Sequence, residues 1–131
     1  MKVLFVCLEN SCRSQMAEGF LRACGADLFE ASSAGSNPSG EVNPMAVKVM
    51  REEGIDISPQ KSKGFKDLDV KEADLVVSMG CGDICPFFPD SKHIRWDIEN
   101  PRGQDITVFR RVRDEIKEKV LELKGEHGKT F

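Results

Sequence analysis

The sequence predicts a parallel α/β fold with helices covering both faces of the sheet. Three observations lead there. Residues 3–6 (Val, Leu, Phe, Val) form a continuous apolar run, the pattern of a strand buried on both faces. From Arg13 onward Met16, Ala17, Phe20, Leu21 and Cys24 recur at helical spacing. Short apolar runs and amphipathic stretches then keep alternating along the chain, which joins parallel strands by crossovers and places ligands at their C-terminal edge.

Each element has its own signal. Residues 29–34 read as a second, weaker strand, followed by a Gly/Ser/Asn/Pro loop over 35–40. Asn43 caps a helix with Pro44 at its first position; Ala46, Val47 and Met50 line one face, and Gly54 stops it. Residues 58–69 are polar and basic, a loop that begins another short helix. Residues 74–79 form a third apolar strand and 93–98 a shorter fourth. From Asp105, the spacing of Phe109, Val112, Ile116, Val120 and Leu123 sustains a long amphipathic helix to about Lys124, leaving 124–131 as a flexible tail.

A chain of 131 residues makes one domain, 1–131, large enough for a proper core and too short for two. Apolar residues at 40% and charged residues at 31% are ordinary for a globular protein. No apolar run reaches membrane-spanning length and no signal peptide precedes the first strand, so a cytoplasmic location without a membrane partner is expected. A net charge of −3 argues against nucleic acid as a partner. Nothing repeats, and a monomer is expected. Five cysteines in such a chain read as catalytic or redox thiols rather than a disulfide framework. The spacings Cys-x4-Cys (Cys7, Cys12) and Cys-x3-Cys (Cys81, Cys85) are atypical for zinc, and neither metal nor cofactor is expected.

The chemistry concentrates at residues 7–13, where the first strand gives way to the first helix. Leu8, Glu9, Asn10, Ser11 and Cys12 form a loop whose backbone N–H groups can turn inward on a tetrahedral oxyanion, with the positive end of the helix aimed at the same spot. Inward N–H groups, a helix N-terminus and a nearby guanidinium all favour the thiolate of a cysteine placed as Cys7 is. Arg13 can bind two oxyanion oxygens through its planar fork. Ser11 or Ser14 can donate a hydrogen bond to the sulfur, and Asn10 can hold the loop's shape. The predicted reaction is in-line attack by sulfur on a phosphate-like centre; the alternative is a buried small hydrophobe at a strand end beside an ordinary surface charge. Cys24 reads as core, and Cys12 either packs within the loop or pairs with Cys7.

The run Cys7-Leu8-Glu9-Asn10-Ser11-Cys12-Arg13-Ser14-Gln15-Met16-Ala17-Glu18-Gly19 resembles the phosphate loop of the low-molecular-weight phosphotyrosine phosphatase family, and more narrowly its thiol-dependent arsenate reductase branch. Ser33-Ala34-Gly35, Asn43-Pro44, residues 54–58 and 74–78, Trp96 and residues 109–114 also fall where the family has them. The resemblance implies a four-stranded parallel sheet of flavodoxin-like type. It further implies that Cys7 attacks arsenate and that a second cysteine attacks the Cys7 sulfur, releasing arsenite and leaving a disulfide. A third cysteine takes over the disulfide and presents it to thioredoxin or a low-molecular-weight thiol. Cys81 and Cys85, after the third strand, are the matching second and third thiols, with only Gly82, Asp83 and Ile84 between them where better-known reductases carry a longer segment.

Two positions depart from the family. Its phosphatases protonate the leaving oxygen with an Asp that directly precedes a Pro; here that position is Asn100, before Pro101, and an amide delivers no proton. Glu99 or Asp97 can substitute if the loop turns a carboxylate inward. General acid help is worth roughly 10²–10⁴-fold, so weak phosphatase activity beside better arsenate reduction is expected. Some reductases of the family hold potassium near residues matching Asn10, Glu18 and Ser33 together with an acidic residue, and that last position is Lys63 here; its ammonium is expected to replace the ion and pair with Glu18. The competing readings are a phosphatase using the same Cys7 and Arg13, and a non-catalytic oxyanion-binding or redox-sensing module.

Overall fold

The computed structural model describes residues 1–67, 73–79 and 92–128. Four strands, β1 (Lys2–Cys7), β2 (Glu30–Gly35), β3 (Leu75–Ser78) and β4 (Lys92–Arg95), form one sheet in the order β2-β1-β3-β4. Every neighbouring pair is parallel. Helices α1 (Arg13–Gly25), α2 (Pro44–Arg51) and α3 (Ile106–Gly128) and a short 3-10 turn at Phe65–Asp67 complete the described elements. The order reverses at β1, with β2 on one side and β3 on the other, so the C-terminal end of β1 is a topological switch point where such sheets bind ligands. Cys7 is the last residue of β1.

β1 is central, and Val3, Leu4, Phe5 and Val6 are fully buried. Its residues alternate between two apolar clusters, as successive side chains on a strand must. Val3, Phe5 and Cys7 join the larger core with side chains from all three α-helices, while Leu4 and Val6 meet Ala34, Ala73 and Val76 on the opposite face, with Phe65 packed against them. Among the described residues the long helices therefore cover one face, and the expected cover of the other is represented by the turn at Phe65–Asp67. Phe5 also meets the Trp96 ring, centroids 5.8 Å apart. Burying a side chain of this size contributes about 1.5–3 kcal/mol.

The boundaries differ instructively from those expected. β4 ends at Arg95 rather than at residue 98. Trp96 still donates its N–H to the Ser78 carbonyl (2.9 Å), after which the chain leaves the sheet while Trp96 and Ile98 stay buried. α2 begins as predicted, with the Asn43 side chain accepting from the Met45 N–H at 2.8 Å, and Gly54 adopts φ +75° just beyond it. α3 runs to Gly128, so residues 124–128 are helical and not the tail the apolar spacing suggested. The last apolar contact of that spacing is Leu123, and backbone hydrogen bonding carries the helix past it. Among the described residues no helix is long and apolar enough to cross a membrane.

α2 and α3 are tied by ion pairs. Glu52 accepts from Arg110 (2.8 Å) and from Arg113 (2.8 Å), and Glu53 meets Lys117 at 3.1 Å. Hydrogen bonding from Arg110, then from Arg113, holds the Glu52 carboxyl down at about 2. A carboxyl lowered in the folded state stabilises it above the unfolded value, and that contribution is lost as pH falls through the folded one. Urea unfolding followed between about pH 4.5 and pH 2 is expected to show stability falling with acidity, with a shallower fall in Glu52→Gln; equal slopes would remove Glu52 from the account.

Candidate active site

The loop between β1 and α1 is held with its carbonyls turned out. The Leu8 carbonyl accepts from the Asn37 N–H (2.8 Å), and that of Glu9 from the Ser39 N–H (3.1 Å) and the Ser62 hydroxyl (2.9 Å). The Asn10 carbonyl accepts from Gln15 Nε2 (3.0 Å), Ser11's from the Asn43 N–H (2.9 Å) and Cys12's from the Met16 N–H (2.9 Å). With five successive carbonyls engaged outward, the N–H groups face the other way, and those of Glu9, Asn10, Ser11 and Cys12 meet no acceptor among the described residues. Buried N–H groups are seldom left unpaired, and a concavity lined by free N–H groups is a geometry that suits an anion. Asn10 adopts φ +51°, the left-handed conformation that Asn tolerates better than most residues and that lets the loop curl.

β2 sets how closely the loop can lie. Gly35 pairs in register with Cys7, and a Cβ there would stand 2.7 Å from the Leu8 carbonyl oxygen and 2.8 Å from the Asn10 nitrogen. Only glycine leaves room for the loop backbone.

Cys7 Sγ lies 2.8 Å from Ser14 Oγ. Asn10 Nδ2 donates to the same oxygen at 2.8 Å, which leaves the single Ser14 proton free to be given to the sulfur when Cys7 is a thiolate. The choice between the two serines is thereby settled by geometry: Ser11 Oγ lies instead 3.7 Å from Cys12 Sγ. Cys7 and Cys12 are both free thiols. Burial pushes the Cys12 thiol up to about 11, with Cys7 nearby adding to the effect and Ser11 opposing it, so Cys12 is protonated at neutral pH and packs as a small apolar group. Cys24 is half-buried against the core, and burial raises its thiol as well.

Arg13 is only 6% exposed. Its Nη1 donates to the Ile98 carbonyl at 3.0 Å, while Nε is buried without an acceptor among the described residues. The edge that carries Nε can bind two oxygens side by side, and it is the edge left free by the Ile98 bond among the described residues. Electrostatics around it are balanced: Glu9, inside the loop, pairs with Arg102.

The remaining predicted residues divide. Ser33 Oγ donates to Glu18 Oε1 (2.7 Å), and Lys63 Nζ stands 3.8 Å from the same oxygen, so the expected Glu18–Lys63 pair is present; Arg22 meets the other carboxylate oxygen at 3.3 Å. Lys63 also donates its backbone N–H to Asn10 Oδ1 (2.9 Å). Glu99 and Asp97 do share a side, as strand-like alternation implied, but it is the outer one: Glu99 pairs with Arg111 and Asp97 lies 3.7 Å from Arg95, with no contact to Cys7 or Arg13. Trp96 and Ile98 take the buried side of that alternation, which sends both carboxylates to solvent. Asn100 Oδ1 accepts from the Arg102 N–H (3.2 Å), a turn-forming bond. Cys81 and Cys85 lie outside the described residues.

Sequence reasoning missed Gln15 and Gln60 as parts of the site. Gln15 is fully buried and donates to the Asn10 carbonyl, to Asn10 Oδ1 (2.8 Å) and to the Lys61 carbonyl (2.9 Å). A fully buried amide on the first turn of a helix, beside the phosphate loop, was the available signal.

The family profile described as low molecular weight phosphotyrosine protein phosphatase matches residues 2–130. The chain belongs to that family. It is 43% identical to a glutaredoxin arsenate reductase of Synechocystis sp., covering 93% of this chain and 95% of that one. It is 44% identical to an arsenate reductase of Halalkalibacterium halodurans, covering 98% and 93% respectively. Among solved structures, an arsenate reductase in the phosphate binding state superposes with a TM-score of 0.85 at 42% identity, covering 95% of this chain and 97% of that one.

Gly35→Ala is expected to push the loop off its seat and weaken phosphate binding by more than about tenfold, ~1.4 kcal/mol, measured by calorimetry with the melting temperature as a check on folding. Unchanged affinity would show that the loop does not depend on the close approach at Gly35.

Proposed function

We propose that this chain is a thiol-dependent arsenate reductase, working as a cytoplasmic single-domain protein. The observation that carries it is the cradle of inward N–H groups and the free Nε edge of Arg13 around Cys7, in a chain 43–44% identical to proteins named arsenate reductase. The loop and Arg13 hold the arsenate oxygens. Ser14 stabilises the Cys7 sulfur, which attacks arsenic of the dihydrogen arsenate anion. One arsenate OH leaves as water, its second proton coming from the other arsenate OH, so a thiolate and the anion give the sulfur–arsenic adduct and water with no proton from the protein.

The reduction itself needs a second thiol. β3 ends at Ser78, paired with Val6 next to Cys7, and Cys81 follows three residues later in the chain. The Cys81 thiolate forms an S–S bond to Cys7 as the S–As bond breaks, its electron pair passing to arsenic, so As(V) becomes As(III) and leaves as arsenite. Cys85 then attacks Cys81, freeing Cys7 and leaving a Cys81–Cys85 disulfide. The dithiol of thioredoxin, or two molecules of a low-molecular-weight thiol, returns that disulfide to two thiols and is itself oxidised to a disulfide.

The second reading, phosphomonoester hydrolysis through a Cys7 phosphocysteine, is favoured by the family but lacks a proton donor. The candidate carboxylates Glu99 and Asp97 are paired at the surface, and Asn100 is an amide spent on a turn. Arsenate does not need that donor. Steady-state assays are expected to show arsenate turnover with thioredoxin, single turnover at most in Cys81→Ser and Cys85→Ser, none in Cys7→Ser, and aryl-phosphate hydrolysis slower by roughly 10²–10⁴-fold than in a relative with the Asp. Brisk phosphate hydrolysis without arsenate turnover would favour the phosphatase; oxyanion binding with neither reaction would leave a binding or sensing module.

Lys63 takes the place of a bound cation beside Glu18, with its ammonium also donating to the Lys61 carbonyl at 3.2 Å. Activity is therefore expected to be the same in potassium and sodium buffers of equal ionic strength. A steep rise with potassium alone would overturn this assignment.

A further inference from the structure

The amides around the loop, two of them buried and the outermost, Gln60, half-buried, form a chain with a single direction. Gln60 Nε2 donates to Gln15 Oε1 (2.7 Å), Gln15 Nε2 to Asn10 Oδ1 (2.8 Å) and Asn10 Nδ2 to Ser14 Oγ (2.8 Å), and Ser14 Oγ lies 2.8 Å from Cys7 Sγ. We propose that Gln15 and Gln60 are positioning residues for the nucleophile: they fix the polarity of this relay so that the Ser14 proton is always presented to the Cys7 sulfur.

An amide can be turned end for end at little cost unless its neighbours forbid it, and here the backbone forbids it at each link. Gln15 Nε2 faces the carbonyls of Asn10 (3.0 Å) and Lys61 (2.9 Å), which only accept, so the nitrogen must be at that end and the oxygen must face Gln60. Gln60 Nε2 faces the Gln15 carbonyl (3.0 Å) as well as Oε1, which fixes its nitrogen in the same way. The Asn10 oxygen receives the Lys63 N–H (2.9 Å), a pure donor, so its nitrogen is left for Ser14. Ser14 then accepts from Asn10 and has one proton to give, and the sulfur is the acceptor within reach. Asn10, Ser14 and Gln15 are all fully buried, so water does not substitute for a lost link. Hydrogen bonds that share one direction polarise each other, and the effect of the distant amides arrives at the sulfur through Ser14.

The proposal rests on the reading above only in taking Cys7 as the reacting atom, and its test uses neither arsenate nor thioredoxin. Gln15→Glu keeps an acceptor for Gln60 but removes the donor to Asn10 Oδ1, so the Asn10 amide is held by the Lys63 N–H alone and its bond to Ser14 is no longer polarised from the Gln60 end. The Ser14 proton is then less firmly directed to the sulfur. The measurement is the rate of iodoacetamide modification at Cys7 at one fixed pH, read by peptide mass spectrometry, together with phosphate affinity by calorimetry and the melting temperature. Gln15→Glu is expected to slow modification about tenfold, the scale of one hydrogen bond to a charged group, with phosphate affinity changed less than about threefold. In a Ser14→Ala background the same substitution is expected to have no further effect, because the link it acts through is gone. Gln60→Met should slow Cys7 in the same sense by a smaller factor and be equally silent in Ser14→Ala. An equal slowing with and without Ser14 would overturn the proposal. So would joint loss of reactivity and phosphate affinity, the mark of a collapsed loop, or an unchanged rate in a folded Gln15→Glu protein. If the relay passes and arsenate is not turned over, it is the functional reading that fails.

Discussion

The structure depends on where five successive carbonyl groups point. From Leu8 to Cys12 each finds a donor outside the loop, and these donors come from three separate stretches: residues 37–43, Ser62, and α1 through the Met16 N–H and the Gln15 side chain. Once the carbonyls are committed outward, planarity of the peptide unit leaves the N–H groups no choice but to converge inward. Everything chemical about the site follows from that commitment. On the reading proposed above, the cradle takes the oxyanion through its N–H groups and Arg13 adds a full positive charge beside it.

α1 has an unusual burden for a first helix. Nine consecutive residues of it, 13–21, are buried, including Arg13, Ser14, Gln15 and Glu18. The close approach that makes this possible is marked by Gly19, where a Cβ would meet Ile57 at 2.6 Å. Polar groups in such a setting are costly unless fully satisfied. Glu18 is satisfied by Ser33, Lys63 and Arg22, and Gln15 by Asn10, Lys61 and Gln60. The helix therefore reads as amphipathic only in part; its second face is not solvent but a polar seam between the phosphate loop and the 58–64 segment.

Much of this was legible in the sequence. The continuous apolar run of β1, the Asn43-Pro44 start of α2 and the loop that places Cys7 and Arg13 at a switch point all derive from local rules, and the structure places them as those rules require. What was not legible depends on groups distant in sequence. Nothing local distinguishes Glu99 facing Arg111 from Glu99 facing the loop, because the decision belongs to Trp96 and Ile98 taking the buried side. Ser11 and Ser14 are equivalent by spacing arguments, and only Asn10, itself held by Gln15 and the Lys63 N–H, separates them. The continuation of α3 past Leu123 has no apolar signature in the sequence, where residues 124–128 read Lys, Gly, Glu, His and Gly.

The bond from Arg13 Nη1 to the Ile98 carbonyl joins the first residue of α1 to the segment that leaves the far edge of the sheet, across a separation of 85 positions. That segment is anchored in turn by Trp96, whose ring packs at a tilt against Phe5 at the centre of β1. The guanidinium is thus held at Nη1 by the fold itself, and on the reading proposed above anion capture does not have to freeze a swinging side chain. Recognition becomes a matter of fit to a rigid mould, so the entropic penalty of immobilising the receptor has already been met during folding.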